Sequence, residues 1–433
     1  SGQIESKTRK HYNHELMAEF NLIPSGEWKP AGQKLIFDMI EQGTVTDAYR
    51  YVITVLENAV QIGKFYITPN VLDTGVFDLG EVVRGRVAVD PRKYGFTSVI
   101  HSLNNKAFTK SNGNVNKYTV ELRYWDGSTE SALEDSVSIW LIDGYEQISA
   151  GLDPSFADYY GTASDKKFWL TDREPQSDVI HITAGIEDTG VLTFINTDDT
   201  GSLVDTILIT IYSADGTTTD TLGYTINPTN GGFTPGASAT TYYYGTVLYG
   251  YFFPASLSAL TTKLNDISGG WLYYDVEPSS GGSTQKGNKY RFTNNCRPVK
   301  NAAVQLAWAN TRGGWDYLRF DGRKLKTVTR EEKTYRKQIG DYSAASFNFG
   351  STDREITPYQ VEAKEMYQLN GILTSEEYDL FQYCFRSKNI MARIENGWVP
   401  VTLKESSLQV ESDTTSKVYI ATINVELAQI LRC

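Results

Sequence analysis

Two aspartates stand where a carboxylate could do acid–base work, Asp275 in WLYYDVE and Asp316 in GGWDYLRF. Aromatic neighbours can stack on a sugar ring and, by excluding water, raise a carboxyl pKa, as the acid of a glycosidase requires. With 52 acidic residues in the chain, however, carboxylate pairs arise by number alone. The plainer expectation for each is a hydrogen-bonded or solvated side chain beside strand aromatics. His11 and His14 have an i, i+3 spacing that would bring two imidazoles together on a helix, yet they lie in a polar N-terminal arm. The four histidines, His11, His14, His101 and His181, sit in no HExxH or Cys/His pattern. NTDDTG at residues 196–201 has the polar start of a calcium loop but lacks the later bidentate Glu. The glycines of DTGVFDLGEVVRG match neither a P-loop nor a GxGxxG spacing. No cofactor and no catalytic residue is expected.

Recognition chemistry has better candidates. Tyr242, Tyr243 and Tyr244 close a loop rich in Gly, Thr, Asn and Pro at residues 227–245, and Trp315 follows Gly313-Gly314. These aromatics could stack on a host surface glycan, or they could pack between sheets. The segment RKLKTVTREEKTYRK, residues 323–337, carries seven basic and two acidic side chains: Arg323, Lys324, Lys326, Arg330, Lys333, Arg336 and Lys337 against Glu331 and Glu332. In an acidic protein this stripe could meet an acidic partner such as another subunit, or DNA passing through a channel, although alternation of Leu325, Thr327 and Thr329 also describes a solvated strand face.

The elements that must carry these residues read mostly as strands. In AYRYVITVLENAV, Tyr49, Tyr51, Ile53 and Val55 share one face, Asn58 is placed to turn the chain, and QIGKFYITPN returns. Asp78 and Glu81 have capping-box spacing ahead of Leu79, Val82 and Val83, which predicts a short helix near residues 78–87. In YTVELRYWDG, Tyr118, Val120, Leu122 and Tyr124 alternate toward Asp126-Gly127, and Asp215-Gly216 repeats the device, so antiparallel hairpins are expected. The last part has the strongest helix. In TSEEYDLFQYCFRS, Thr374 caps, Glu377 completes the box, Leu373 faces Tyr378, and Leu380, Phe381, Cys384 and Phe385 form a stripe. VQLAWAN and YLRF precede that helix as strands, while IMARIENGWVPVTL, with an Asn396-Gly397 turn, and KVYIATINVEL follow it.

Composition agrees. At 433 residues the chain has room for two or three domains, and 28 Tyr, 18 Phe and 8 Trp beside 4 Met favour sheet over helix. The fold class expected is mainly β, with sandwich-like antiparallel domains and a small α+β C-terminal domain carrying one helix. Its divisions are an arm at 1–25, a β domain at 26–110, a long-looped central β-sandwich-like domain at 111–285, and a sheet-plus-helix domain at 290–433. EPSSGGSTQKGNK, residues 277–289, marks the last boundary. A net charge of −11 opposes general binding to nucleic acid or an anionic membrane. Cys296, Cys384 and Cys433 permit at most one disulfide. The N-terminus lacks the apolar core of a secretory signal, and no apolar run reaches a membrane span.

Several of these segments together resemble a family of tail structural proteins encoded by phages of Bacteroidetes hosts. At the N-terminal end the resemblance rests on AYRYVITVLENA, then PN, then GVFDLGEVVRGRV. At the other end it rests on GGWDYLRFDGR, KTYRK and YQLNGILTSEEYDLFQYCFRSKNIMARIENGWVPVTLKESS, with WLTDREP at 169–175 between them. The resemblance implies a virion building block assembled in the bacterial host cytoplasm. Its partners would be copies of itself in a ring or tip and other tail proteins, with host surface glycan or protein as a further contact. No family site residue carries over.

Overall fold

The computed structural model describes residues 17–24, 28–41, 46–87, 107–111, 115–145, 159, 167–196, 204, 206–226, 246–280, 284–295, 303–343, 346–348, 350, 352, 354–394, 397–404, 411–413, 418–428 and 431–432. The fold is mainly β, built largely from antiparallel sheets with three short helices among the described residues. Two compact units divide the chain, Ser1–Cys296 with Ala309–Asp316 and Arg297–Trp308 with Tyr317–Cys433.

In the first unit, a three-stranded sheet of Ala18–Leu22, Ile36–Glu41 and Thr74–Asp78 lies over a five-stranded one. The larger sheet runs in the order Trp28–Pro30, Asp135–Ile142, Val115–Trp125, Arg50–Glu57, Val60–Ile67. Their facing side chains make one core, with Phe20, Phe37 and Phe77 from the small sheet against Tyr51, Ile53, Val120, Leu122 and Leu141 from the large one. Burying each such side chain stabilises the fold by roughly 1.5–3 kcal/mol before entropy is counted. The expected Tyr49, Tyr51, Ile53, Val55 face is fully buried. Its hairpin turns at Asn58 and Ala59, both at positive φ (48° and 69°), the pairing a type I′ turn needs to match strand twist. The short helix is Leu79–Val83, where Asp78 accepts from the Gly80 N–H, while Glu81 pairs with Arg84 at 3.1 Å. Pairing of Val115–Trp125 with Arg50–Glu57 carries this sheet across residue 110, where the sequence suggested a boundary.

The rest of the unit holds two more sheets. One orders Val179–Ala184, Lys289–Asn294, Trp271–Ser280, Thr206–Ser213 and Thr218–Thr225, and the other Leu192–Asn196, Thr246–Gly250 and Phe108–Ser111. Gly216 sits at φ 81° in the expected Asp215-Gly216 turn. Two pairs are parallel, Val179–Ala184 with Lys289–Asn294 and Trp28–Pro30 with Asp135–Ile142, against the all-hairpin expectation. Each joins segments about a hundred residues apart, which supplies the long crossover a parallel pair requires. The expected linker at 277–289 instead turns within one sheet, since Ser279 pairs with Gln285 and Lys286 donates to the Pro278 carbonyl at 2.8 Å. Helix Ser258–Asp266, which the sequence reading passed over, buries Leu260 and Leu264. Its N-cap Leu257 makes no side-chain cap, so no capping signal marked its start.

The second unit is a long sheet on one helix. Strand order is Trp315–Phe320, Val304–Ala309, Ile390–Ile394, Gly397–Leu403, Val418–Leu427, Ile356–Leu373, Lys324–Arg336. Helix Ser375–Cys384 has the full capping box, Thr374 Oγ1 accepting from the Glu377 N–H and Glu377 accepting from the Thr374 N–H. Leu380, Phe381 and Cys384 face the sheet core with Phe320, Leu369 and Ile423, and Tyr378 stacks on Tyr419 at 4.9 Å. Burial pushes the Cys384 thiol well above its ordinary pKa.

Candidate functional site

The basic segment folds into one strand of a two-stranded ribbon. KLKTVTREEKTYR contains no Gly or Pro and alternates β-favouring Thr, Val and Tyr with charge, so it runs unbroken from Lys324 to Arg336. At about 3.3 Å per residue that strand is ~40 Å long. It pairs antiparallel with Ile356–Leu373, from Lys324 opposite Leu369 to Arg336 opposite Ile356, with one bulge between Lys333 and Thr334 near Pro358 and Tyr359. At the ribbon's base, Tyr367 and Leu369 are buried in the unit's core. Farther out the ribbon has no core on either side. Val328, Arg330 and Glu332 on one face and Leu325, Thr329, Glu331 and Lys333 on the other are all exposed. Large apolar side chains stand in water here, Val328 at 56%, Ile356 at 56% and Tyr359 at 64% exposure.

Cross-strand ion pairs lace the ribbon. Lys326 meets Glu365 at 2.8 Å, Lys364 meets Glu331 at 2.8 Å, and along the first strand Arg330 meets Glu332 at 2.7 Å. Arg336 reaches Glu355 at 3.3 Å. The Glu365 carboxylate raises the Lys326 pKa, with help from Tyr367, and Lys326 in turn lowers that of Glu365. Exposed pairs of this kind contribute little each, so they organise the ribbon more than they hold it. Arg323, Lys333 and Lys337 also lie exposed along it. The seven basic residues picked from the sequence are thus brought onto one strand and its flanks.

The other candidates have different fates. Trp315 is buried, at 2% exposure, so it cannot stack on a glycan. The glycines before it serve a tight turn: Gly313 takes φ 79°, and a Cβ on Gly314 would come 2.2 Å from the Leu170 carbonyl oxygen. Tyr242, Tyr243 and Tyr244 lie outside the described residues, as do His11, His14 and His101, residues 197–201 of the NTDDTG run, Cys296, Asn396 and Cys433.

Asp275 is buried and clamped by Arg291, Nε to Oδ1 at 2.7 Å and Nη2 to Oδ2 at 2.8 Å, with Lys289 at 2.9 Å. Burial pushes its pKa up, but the bonds from Arg291 and Lys289 outweigh that and leave it lowered. A carboxylate held ionised is the reverse of the raised acid its aromatic neighbours suggested. Tyr273 and Tyr212 stack at 4.4 Å, and Arg291 covers Tyr273 at 4.2 Å, so these rings are partnered by the clamp.

Asp316 lies in a buried carboxylate cluster of the first unit. Thr171 donates its hydroxyl to one carboxylate oxygen, and the Asp172 N–H (2.9 Å) and Asn310 Nδ2 (3.2 Å) donate to the other. Asp172 accepts from the Thr311 N–H at 2.9 Å and from the Thr311 hydroxyl. Asn310 Oδ1 closes the turn by accepting from Arg312 N–H (3.0 Å) and Gly314 N–H (2.8 Å). Burial raises both carboxyl pKa values, and the charge of Asp316 adds to the rise at Asp172, which reaches about 7. The cluster ties Thr171 and Asp172 of WLTDREP to Asp316 of GGWDYLRFDGR, with Asn310 and Thr311 just before that segment. Asp172 was not singled out by sequence, although its presence in one of those segments was a usable signal.

Among the described residues, no three His, Cys, Asp or Glu side chains gather as metal ligands, and no helix is long and apolar enough to cross a membrane. No protein-family model matches the chain, and no curated protein matches it. One solved structure with a likeness is a tetra-tandem repeat in the extending region of a large adhesion protein. It is 9% identical, and the match covers 95% of this chain and 90% of that one at a TM-score of 0.20. At that score the likeness carries no argument about fold or function.

Proposed function

We propose that this chain is a non-enzymatic structural subunit of a bacteriophage tail, a tip, adaptor or fibre-attachment protein that assembles with copies of itself and with neighbouring tail proteins in the virion. The observation that carries the assembly part is the ribbon of Lys324–Arg336 and Ile356–Leu373. Beyond the pairing of Met366–Leu373 with Val418–Leu427 the ribbon is nearly two-stranded, and a ribbon without a core is marginal in water; the apolar side chains exposed along it, Val328, Ile356 and Tyr359, favour cover by another chain. The tail setting rests on the sequence resemblance, strongest from GGWDYLRF through VPVTL. Engagement of Asp275 by Arg291 and Lys289, and of Asp316 by Thr171 and Asn310, supports a structural role for the two carboxylates with the best sequence claim to acid–base work.

The test pairs native mass spectrometry of the purified chain with antibody labelling of intact virions. Homo-oligomers in solution and label confined to the tail are the expected results. A monomer at every concentration together with unlabelled tails would remove the reading.

A further inference from the structure

The ribbon has two edges, and only one is open for its whole length. On the Ile356–Leu373 side, Val418–Leu427 and Leu431–Arg432 pair with the strand, and Pro358, which has no N–H, interrupts the remainder. The other edge belongs to Lys324–Arg336, which ends the sheet among the described residues and carries neither proline nor bulge of its own. Half of its backbone N–H and C=O groups therefore point away from any strand of the described sheet, a template for a further strand.

Charge decides which strand fits. In a two-fold antiparallel pair the axis passes through one residue that faces its own copy, and like charges directly opposite each other destabilise. Centring the axis on Arg330, Glu331, Glu332 or Lys333 sets that charge against itself. Centring it on Val328 or Thr327 brings Arg330 against Lys326 or Lys324. Thr329 and Thr334 both leave no like charges opposed, and of the two only Thr329 lies near the middle of Lys324–Arg336, where the pairing spans most of the strand. There Thr329 meets Thr329, a favourable cross-strand pair, Lys326 meets Glu332 twice, and Val328 meets Arg330.

We infer that the Lys324–Arg336 edge pairs antiparallel with the same edge of a second copy of this chain, about a two-fold axis at Thr329, so that one sheet runs through both copies. This deepens the assembly reading above and rests on it. The symmetry offers a specific test with the full chain. Lys326→Glu sets a carboxylate against the Glu332 carboxylate twice in its own dimer, and Glu332→Lys sets an ammonium group against the Lys326 ammonium twice. Mixing the two variants restores opposite charges at both positions.

Native mass spectrometry should show a dimer for the unmodified chain, roughly tenfold or greater weakening for each single variant, and a mixed dimer on combining them. Thr329→Cys should in addition form a disulfide-linked dimer under mild oxidation, beyond any formed by the unmodified chain. An unmodified chain that stays monomeric, single variants that dimerise as well as it does, or a mixture that gives no mixed dimer would each overturn the pairing. Larger oligomers and labelled tails that persist in both variants would leave the subunit reading standing while this pairing falls.

Discussion

At Asp172, burial and then the charge of Asp316 raise the carboxyl pKa, and burial raises that of Asp316. Folding thus raises the Asp172 carboxyl from an ordinary value near 3.8 to about 7. A pKa raised by folding adds stability that is complete below the unfolded value and is lost as pH rises through the folded one. The thermal midpoint should therefore decline between roughly pH 4 and 7 by this contribution. Asp172→Asn, which keeps one acceptor oxygen for Thr311 and cannot ionise, should flatten that decline in scanning calorimetry. An unchanged slope would mean that other groups set it. Asp275 has the opposite sign, because its lowered pKa contributes stability that is lost on acidification. Sequence alone presented Asp275 and Asp316 as equivalents, each a carboxylate among aromatics. What separates them is the neighbour across the sheet: Arg291 stands opposite Asp275, whereas Thr171 and Asn310 reach Asp316 with neutral donors.

At the scale of elements, those with local signals were legible and those without were not. The Thr374–Glu377 box, the Asn58 turn and the Asp215-Gly216 turn are written in adjacent residues, and each appears where the spacing predicts. Thr374→Ala should cost about 1 kcal/mol by removing the acceptor for the Glu377 N–H, measurable as a lowered denaturation midpoint with an unchanged slope in denaturant. A larger loss would show that the cap also fixes the helix against the sheet. Helix Ser258–Asp266 has no cap signal, so it was not read as a helix. For the ribbon the alternation of KLKTVTREEKTYR correctly indicated a solvated strand face. That the second face is solvated too depends on where its partner strand leaves the core.

For the whole molecule, the two units carry separate apolar cores, one around Phe37, Tyr51 and Leu122 and one around Phe381, Leu369 and Ile423. Phe381→Ala removes a fully buried ring and should cost about 3–5 kcal/mol in the second unit. Two calorimetric transitions are expected, with only one shifted by this change; a single transition that moves as a whole would show that the units unfold together. The mainly β class was determined by the sequence itself, because aromatic and β-branched content and period-two alternation act through neighbouring residues. The helix of the second unit was determined in the same way. Tertiary structure alone decided which strands pair in parallel, that one sheet continues across residue 110, that Trp315 is buried while Val328 is exposed, and that Asp172 meets Asp316. Each of these depends on contacts between residues far apart in the chain, whose energies no local pattern encodes.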